Sequence, residues 1–353
     1  MKKLHFFAFT NSLCFTLFIS SQVSATTPAE MADLSLQELF ALSTDDVDLL
    51  KESPWQLGFM YKQLKLDGYK RGSSNISDEE ILFVPTAGPR TESNFPVLPK
   101  VITQSVFIGS LSYKINDNSN VSVNIPYIKQ STDHISIVPG FSAFTLNSSG
   151  IGDLTVNYSN IFMYSENNQL SYSIGLSMPT GSIDEQGDTP RAPGDQQLPF
   201  TMQIGSGTWD IPAGLSYQNN ANKFIWGANL LTKLRIGKNK RNYALGNRFA
   251  LSIWVQRRVN QYLLPFTKLT YQNSGSIDGR DEETTVLGAF PYPAGITNPK
   301  FFGGKKIKVA MGSDVSWNEQ NFTVEMSIPV YQNLNGIQPK EDFDFSINWN
   351  AHF

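Results

Sequence analysis

The chain has 353 residues, with 28 basic and 31 acidic side chains, so its formal net charge is −3 at pH 7. Charged residues make up 17% of the sequence, below the roughly 25% of an average soluble domain, whereas aromatic residues reach 12%. Beyond residue 25, no stretch approaches the ~18 consecutive apolar residues that a membrane-spanning helix needs. These values exclude a helical inner-membrane protein. Because no basic stripe is present, they also argue against a nucleic-acid-binding protein.

Residues 1–25 have the pattern of a secretory signal peptide. Lys2 and Lys3 form a basic start, a stretch rich in Phe and Leu follows, and Val23-Ser24-Ala25 is an A-x-A-like cleavage site. An uncleaved anchor helix is the alternative, but the apolar stretch is short for one. The single cysteine, Cys14, lies in this segment. We therefore predict a mature chain with no disulfide, no thiol catalysis and no cysteine-based metal site.

Residues 26–54 precede the strand pattern and are predicted to form a short periplasmic N-terminal segment. Five apolar side chains could lie on one side of a short amphipathic helix. They are Leu34, Leu36, Leu39, Phe40 and Leu42. We expect a periplasmic tail with one or two helical turns. The alternative is a helix that tucks into the periplasmic mouth of the barrel described next.

From residue 55 to the end, apolar and polar residues alternate with period two, the repeat of a strand whose faces meet different environments. The sixth segment contains Gly205-Ser206-Gly207, where we expect a bulge or kink. The last is the clearest, since six apolar residues from Phe343 to Phe353 alternate with polar ones. The twelve segments are 55–65, 101–115, 121–130, 152–164, 169–179, 199–218, 223–236, 247–257, 261–272, 306–317, 321–331 and 342–353.

The connections between these segments alternate between short and long. The short ones, rich in Asn, are 116–120, 165–168, 219–223, 259–260 and 318–321, and the long ones are 66–100, 131–151, 180–198, 237–246, 273–305 and 332–341. Short periplasmic turns and long external loops are typical of an outer-membrane barrel. The sequence therefore predicts an all-β, antiparallel, up-and-down transmembrane β-barrel of about 12 strands over residues 55–353. An even count puts both ends of the barrel in the periplasm of a Gram-negative cell.

Aromatic residues cluster beside the short turns, as expected for an interfacial girdle at the headgroup level of a lipid bilayer. This set comprises Trp55, Tyr113, Tyr164, Tyr172, Tyr217, Phe224, Trp226, Trp317, Phe322 and Phe353. Candidates for the opposite girdle are Tyr61, Tyr127, Phe249, Tyr271 and Phe343. We expect outer-membrane lipid and lipopolysaccharide as partners of this surface.

Four short motifs occur in order over residues 100–353. They are Gly150-Ile151-Gly152-Asp153-Leu154, Leu176-Ser177-Met178-Pro179-Thr180-Gly181, Gly205-Ser206-Gly207-Thr208-Trp209-Asp210 and Pro329-Val330-Tyr331-Gln332-Asn333-Leu334-Asn335-Gly336. Together they resemble the outer-membrane transporter family named for the meta-pathway of phenol degradation. The resemblance implies a channel or transporter for small molecules, with aromatic or apolar compounds as candidates.

The closing strand resembles the signal that the barrel assembly machinery reads in its clients, which makes this machinery an expected partner. The residues that carry the signal are Phe353, Trp349, Ile347 and Phe345.

The polar parity of the strands is expected to line the lumen, and twelve strands should leave a narrow or plugged path. Its charged candidates are Lys62, Lys233, Arg235, Arg248, Lys268, Lys308, Glu325 and Asp344. We place Lys233, Arg235 and Arg248 near the external mouth, with few acids at that height except Asp344. There they could favour anions. Alternatively, they pair with acidic external loops and hold them closed.

The sequence leaves two alternatives to a channel. A non-conducting structural or surface-display barrel is the first alternative, and an outer-membrane lipid hydrolase is a weaker one. His134, Ser136 and Asn147 are of the types that a hydrolase uses, but they fall in a predicted loop, where nothing holds them together. We therefore predict no enzyme, no cofactor and a monomer.

Two predicted external loops are acidic. They carry Asp184, Glu185, Asp188 and Asp195 in one, and Asp278, Asp281, Glu282 and Glu283 in the other. Their spacing does not fit an EF-hand, so we predict no metal site and a hydrated loop surface. Weak Ca²⁺ bridging to lipopolysaccharide is the alternative.

Overall fold

The computed structural model describes residues 54–353, apart from residues 289 and 319. The predicted signal peptide and nearly all of the predicted segment 26–54 lie outside the described residues. The main strands are β1 (Trp55–Gly72), β2 (Val97–Asn116), β3 (Ser119–Ser136), β4 (Ala143–Ile151), β5 (Leu154–Tyr164), β6 (Asn168–Met178), β7 (Trp209–Ala221), β8 (Phe224–Ile236), β9 (Arg248–Arg257), β10 (Leu263–Ser274), β11 (Gly304–Trp317) and β12 (Gln320–His352).

Short elements lie in the long connections. Strands of two or three residues are Ser74–Ile76, Gln186–Asp188, Asp195–Gln197, Tyr243–Ala244 and Asp278–Gly279. The helices are an α-helix at Asp78–Ile81 and 3₁₀ turns at Pro85–Ala87, Phe200–Met202, Glu282–Thr284, Gly295–Thr297 and Pro299–Phe301. Within residues 54–353, no described helix is long and apolar enough to cross a membrane.

The wall is a closed antiparallel ring in which sequence neighbours are also spatial neighbours. The large sheet has thirteen strands, of which Ser74–Ile76 and β4 lie outside the ring, and β12 closes onto β1. Eleven strands that all run antiparallel to both neighbours cannot form a ring, because their directions must alternate. One of them must reverse.

The 33-residue strand β12 makes this reversal. It pairs with β11 from Gln320 to Leu334, and with β1 from Leu334 to His352. The turn follows Leu334, where Gly336 has a φ of 65°. The main chain of Glu341 then bonds twice to the side-chain amide of Gln332, at 2.8 and 2.9 Å. The wall therefore has twelve passes, and the predicted barrel is confirmed.

The two faces of the wall meet opposite environments. Along β8, exposed and buried residues alternate; Phe224 and Trp226 point outward, while Asn229 and Lys233 are buried inside. Within the girdle predicted beside the short turns, aromatic rings contact each other on the outside. The ring centroids of Trp55 and Tyr113, for example, lie 4.8 Å apart. A barrel that is apolar outside and polar inside is built for a bilayer.

The strands extend further than the period-two pattern predicts. β1 continues to Gly72, the predicted loop 131–151 is largely the β3–β4 hairpin, and β12 covers the predicted loop 332–341. Backbone pairing needs no particular side chains. Once a strand leaves the apolar part of the membrane, its outward residues can be polar, so the alternation ends before the strand does.

The sixth predicted strand is wrong at its start. Residues 199–208 leave the wall, and β7 begins only at Trp209. Phe200, Met202 and Ile204 are buried inside the barrel. Apolar residues spaced by two fit a lipid-facing strand and an interior filling equally well, which is why the pattern misleads here. Gly205-Ser206-Gly207 is the place where the chain returns to the wall, with Gly207 at a φ of 70°.

Candidate functional site

The interior of the barrel differs between its two ends. We call the end that bears the short turns the turn side and the opposite end the loop side. At the loop side two connections fold into the lumen: the first inner segment, residues 179–208, and the second inner segment, residues 275–303. They meet through Phe200, whose ring contacts those of Tyr243 and Phe302 edge-on at centroid distances of 4.8 and 5.5 Å. Packed side chains therefore fill the loop-side half of the lumen.

Two cavities among the described residues share no lining residue. The turn-side cavity has a volume of about 280 Å³ and is lined mainly by polar side chains such as Gln218, Asn229 and Asn350. The loop-side cavity has a volume of about 330 Å³ and lies among the loops, against both inner segments. An apolar patch of the wall that the period-two pattern does not predict borders the turn-side cavity through Met60. It comprises Met60, Leu64, Leu66, Ile102, Val106, Ile108 and Ile128, with Ile204 packed on it.

One buried charge network joins β7 and β8. Lys233 lies 3.4 Å from Asp210, and Arg235 pairs with the same carboxylate. Lys233 also donates to Ser177 at 3.2 Å, and Arg248 lies directly across from Lys233 on β9. The structure thus brings the three predicted cations together. The expectation that few acids oppose them is wrong, because Asp210 lies at their height at the start of β7.

A second buried network joins β1, β11 and β12. Lys308 contacts Glu341 at 2.8 Å and also pairs with Asp344, whose other oxygen lies 3.6 Å from Lys62. Lys306 contacts Glu341 at 2.6 Å. Asp344 therefore pairs with Lys62 and Lys308. The expectation that it opposes Lys233, Arg235 and Arg248 is wrong.

Lys306 and Glu341 were missed by the sequence analysis. Glu341 falls in a predicted loop, and a register shift opposite Lys65 and Leu66 leaves Asp342 out of the ladder. That shift turns Glu341 inward although it lies an odd number of residues from Asp344, so no parity count could have found it.

The last two predicted lumen residues, Lys268 and Glu325, line the turn-side cavity. They form an ion pair of 2.6 Å, and both side chains keep some exposure. These two charges therefore face open space, in contrast to the two buried networks of the loop-side half.

Three of the four family-like motifs assemble into one cluster at the root of the first inner segment. Asp153 accepts from the backbone N–H of Gly181 at 3.0 Å and from the N–H and hydroxyl of Ser206 at 2.8 and 2.7 Å. Ser206 also bonds Asp210 at 3.1 Å. A Cβ atom on Gly205 would clash with the carbonyl oxygen of Gly181, so only glycine fits there. We call these five residues the anchoring cluster.

The three residue types that a hydrolase would need are not brought together. His134 lies in strand β3, not in a loop, and stacks on Phe144 at a centroid distance of 4.7 Å. Its Nδ1 lies 3.0 Å from the carbonyl oxygen of Thr132. Asn147 is the register partner of Ser131, which lies three residues before His134 on β3. This spacing separates Asn147 from His134 by roughly 10 Å along the strand. No contact in the described residues joins His134 to Ser136 or Asn147.

The acidic loops are tied to basic residues of the 237–247 connection. Arg241 contacts Asp184 at 2.8 Å, Glu283 at 3.0 Å and Asp281 at 3.4 Å, and Lys240 also pairs with Asp184. The hydrogen bond from Lys240 lowers the pKa of Asp184, whereas burial raises the pKa of Asp281. Among the residues that the structure describes, no group of three or more His, Cys, Asp or Glu could hold a metal ion.

The residues of the predicted assembly signal lie at the turn side, at the end of β12. Ile347 and Phe353 are exposed on the outer face, and the indole N–H of Trp349 donates to Gln320 at 3.0 Å. Phe345 pairs with Gln63 of β1 at the seam of the ring. Their position is compatible with the assembly role, which stays a prediction.

A scan against models of protein families and a search of curated proteins find no match to the sequence. Among solved structures, the COG4313 outer membrane channel from Pseudomonas putida F1 matches 87% of this chain and 98% of its own, with a TM-score of 0.55 and 12% identity. This chain has the fold of an outer-membrane β-barrel. At that identity the likeness concerns the fold alone.

Two further similar structures have lower scores. The translocator domain of the autotransporter NalP from Neisseria meningitidis matches with a TM-score of 0.44 and 9% identity, over 92% of this chain and 96% of that one. The KdgM porin in complex with disordered oligogalacturonate matches with a TM-score of 0.38 and 7% identity, over 84% and 99%.

Proposed function

We propose that the protein is a channel of the Gram-negative outer membrane for small molecules, with its turn side and both ends of the barrel in the periplasm. The observation that carries the proposal is what fills the lumen. Much of the filling at the loop side comes from two connections between wall strands rather than from the wall itself. At the turn side a polar cavity of about 280 Å³ stays open. Connections can move while the wall stays intact, which is how a closed barrel conducts.

We further propose membership of the outer-membrane transporter family named for the meta-pathway of phenol degradation. The anchoring cluster supports this, because three motifs of the resemblance meet there and hold the first inner segment. The apolar patch from Met60 to Ile128 on one side of the lumen favours aromatic or apolar compounds as substrates. Lipopolysaccharide, the barrel assembly machinery and a monomeric state belong to the same proposal.

The charges of the loop-side half suggest a preference among ions. The two buried networks contain six cations, Lys62, Lys233, Arg235, Arg248, Lys306 and Lys308, against Asp210, Glu341 and Asp344. The buried Asp153 of the anchoring cluster, which Lys233 influences electrostatically, is the fourth carboxylate. Six cations against four carboxylates leave an excess of two positive charges. In a narrow path such an excess favours anions.

Single-channel recording of the refolded full-length protein in planar bilayers tests the channel. We expect small, discrete conductance steps. A bilayer that stays silent with the wild-type protein, and also with variants of the anchoring cluster, would support the non-conducting barrel instead.

Orientation is tested on intact cells with a short tag. Tags inserted at the loop side, at Gly187 or Gly279, should be labelled from outside, whereas a tag at Asn219 of the turn side should not. Labelling at Asn219 from outside would mean that the barrel has the opposite orientation to the one proposed.

A further inference from the structure

The loop-side cavity has the composition of a ligand site. It lies where the β3–β4 hairpin, both inner segments and the connection before β2 come together. Much of its lining is apolar and comes from Val97, Leu146, Val286, Ala294 and Ile296. Its volume of about 330 Å³ is at the lower end of the range that small-molecule pockets occupy. None of the charged residues of the two lumen networks lines it.

Two cations break this apolar lining, Arg90 and Arg191. A guanidinium has five N–H donors. Arg90 bonds the carbonyl oxygen of Phe290, and Arg191 that of Gln197 at 2.9 Å. In the part of the chain that the structure describes, neither makes an ion pair. Asp281 and Glu283 act on Arg191 only from a longer range, and both contact Arg241 instead.

Both guanidinium groups are partly withdrawn from water, and this burial lowers the pKa of each. A half-buried cation without a close carboxylate is stabilised by any anion that can reach it. The donors that remain suit an oxygen anion of planar geometry, because a guanidinium can bind both oxygens of a carboxylate at once.

His134 and Phe144 give the cavity a flat wall. Their rings are nearly parallel, with 4° between their planes, and both side chains line the cavity. A carbonyl oxygen can only accept, so the Nδ1 atom of His134 must donate to Thr132. In the neutral ring Nε2 is then an acceptor, and the imidazole adds no further positive charge.

We propose that the loop-side cavity binds a small monocarboxylate with an apolar body, whose carboxylate is taken by Arg90 and Arg191. A neutral apolar compound would leave both cations without a counter-ion. The inference deepens the proposed function, on which it rests only for the step from a bound compound to a transported one.

The test is a titration of the full-length, refolded protein in detergent micelles with 4-fluorobenzoate, followed by fluorine NMR. We expect saturable binding that weakens about tenfold or more in Arg191→Gln and in Arg90→Gln, because each loses a charged hydrogen-bond donor. 4-Fluorobenzyl alcohol, which has the same ring and no charge, should bind at least about tenfold more weakly. Arg191→Lys should retain part of the affinity, since it keeps the charge but not the planar fork.

Arg280→Gln is the matched control, since Arg280 lies in the second inner segment, pairs with Glu282 and does not line the cavity. Its affinity should equal that of the wild type. Heat-modifiable migration in gels checks that each variant is folded. Binding that does not saturate, or that is unchanged in both Arg90→Gln and Arg191→Gln, overturns the proposal.

Conductance separates this inference from the proposed function. A protein that conducts ions but does not bind 4-fluorobenzoate refutes the site and leaves the channel standing. A protein that binds 4-fluorobenzoate through both arginines but never conducts keeps the site and refutes the channel.

Discussion

At the turn side, the lumen is lined by side chains of the wall, whereas at the loop side two connections between strands fill it. The charges follow the same division. Lys268 and Glu325 form one partly exposed pair facing the turn-side cavity, while Lys306, Lys308, Glu341 and Asp344 are buried together among packed groups. The turn-side half therefore holds a polar cavity enclosed by the wall strands. The loop-side half is held shut by contacts that can be removed one at a time without opening the wall.

The largest effect is expected from the anchoring cluster. In Asp153→Asn, an amide NH₂ replaces one acceptor oxygen and faces the donors of Ser206 or Gly181. We expect the first inner segment to be released, so conductance should rise severalfold and trypsin should cut after Arg191 far faster. Asp117→Asn is the control, because Asp117 forms an exposed pair with Lys114 at the turn side. Unchanged conductance and cleavage in Asp153→Asn would mean that the cluster does not hold the segment.

The second prediction compares two carboxylates of β12. Glu341→Gln leaves Lys306 and Lys308 buried with less counter-charge, which should lower the free energy of unfolding by about 3 kcal/mol or more. Glu325→Gln breaks a pair that lines the turn-side cavity, where the remaining Lys268 can be hydrated, and should cost clearly less than Glu341→Gln. Urea denaturation in lipid vesicles measures both. Equal losses would show that the two halves do not differ in hydration.

The third prediction concerns ion selectivity. Replacing Lys233, Arg235 and Arg248 together by Gln removes three cations of the loop-side half and should reduce anion preference in reversal-potential measurements. Lys268→Gln, at the turn-side cavity, should change the anion preference less. If conductance rises while selectivity stays constant, the three cations act as latches and do not line the path.

The smallest effect is expected from acid. The hydrogen bond from Lys240 lowers the pKa of Asp184 below its usual value of 3.8. A lowered carboxyl pKa stabilises the folded loops above about pH 4, and this contribution disappears as the pH falls through the lowered value. Because trypsin is inactive at that pH, the loops are probed with pepsin. We expect pepsin cleavage of the loops to accelerate below about pH 4, where this stabilisation is lost. Asp184→Asn should remove that part of the pH dependence. Asp281, whose pKa is raised by burial, acts with the opposite sign and remains in this variant.

Sequence periodicity predicted the wall well, because the bilayer imposes alternation on each pass. On β8, for example, the apolar Phe224 is exposed on the outer face, whereas the polar Lys233 is buried inside. Sequence periodicity predicted the filling of the lumen poorly. Met202 and Ile204 are apolar because they pack in the interior, and packing there imposes no period-two alternation. The site residues divide in the same way. Lys62, Lys233 and Asp344 follow strand parity and were found, whereas Glu341 depends on a register shift and Asp210 on where β7 begins.

The reversal inside β12 also constrains how such a protein can change in size. A ring of antiparallel passes can gain or lose passes only two at a time, because a single insertion would leave one neighbour running parallel. Evolution and protein engineering alike must therefore duplicate or delete whole hairpins to widen or narrow this lumen. The hairpin of β12, in which Gln320–Leu334 and the residues up to His352 form two adjacent passes, is one such unit.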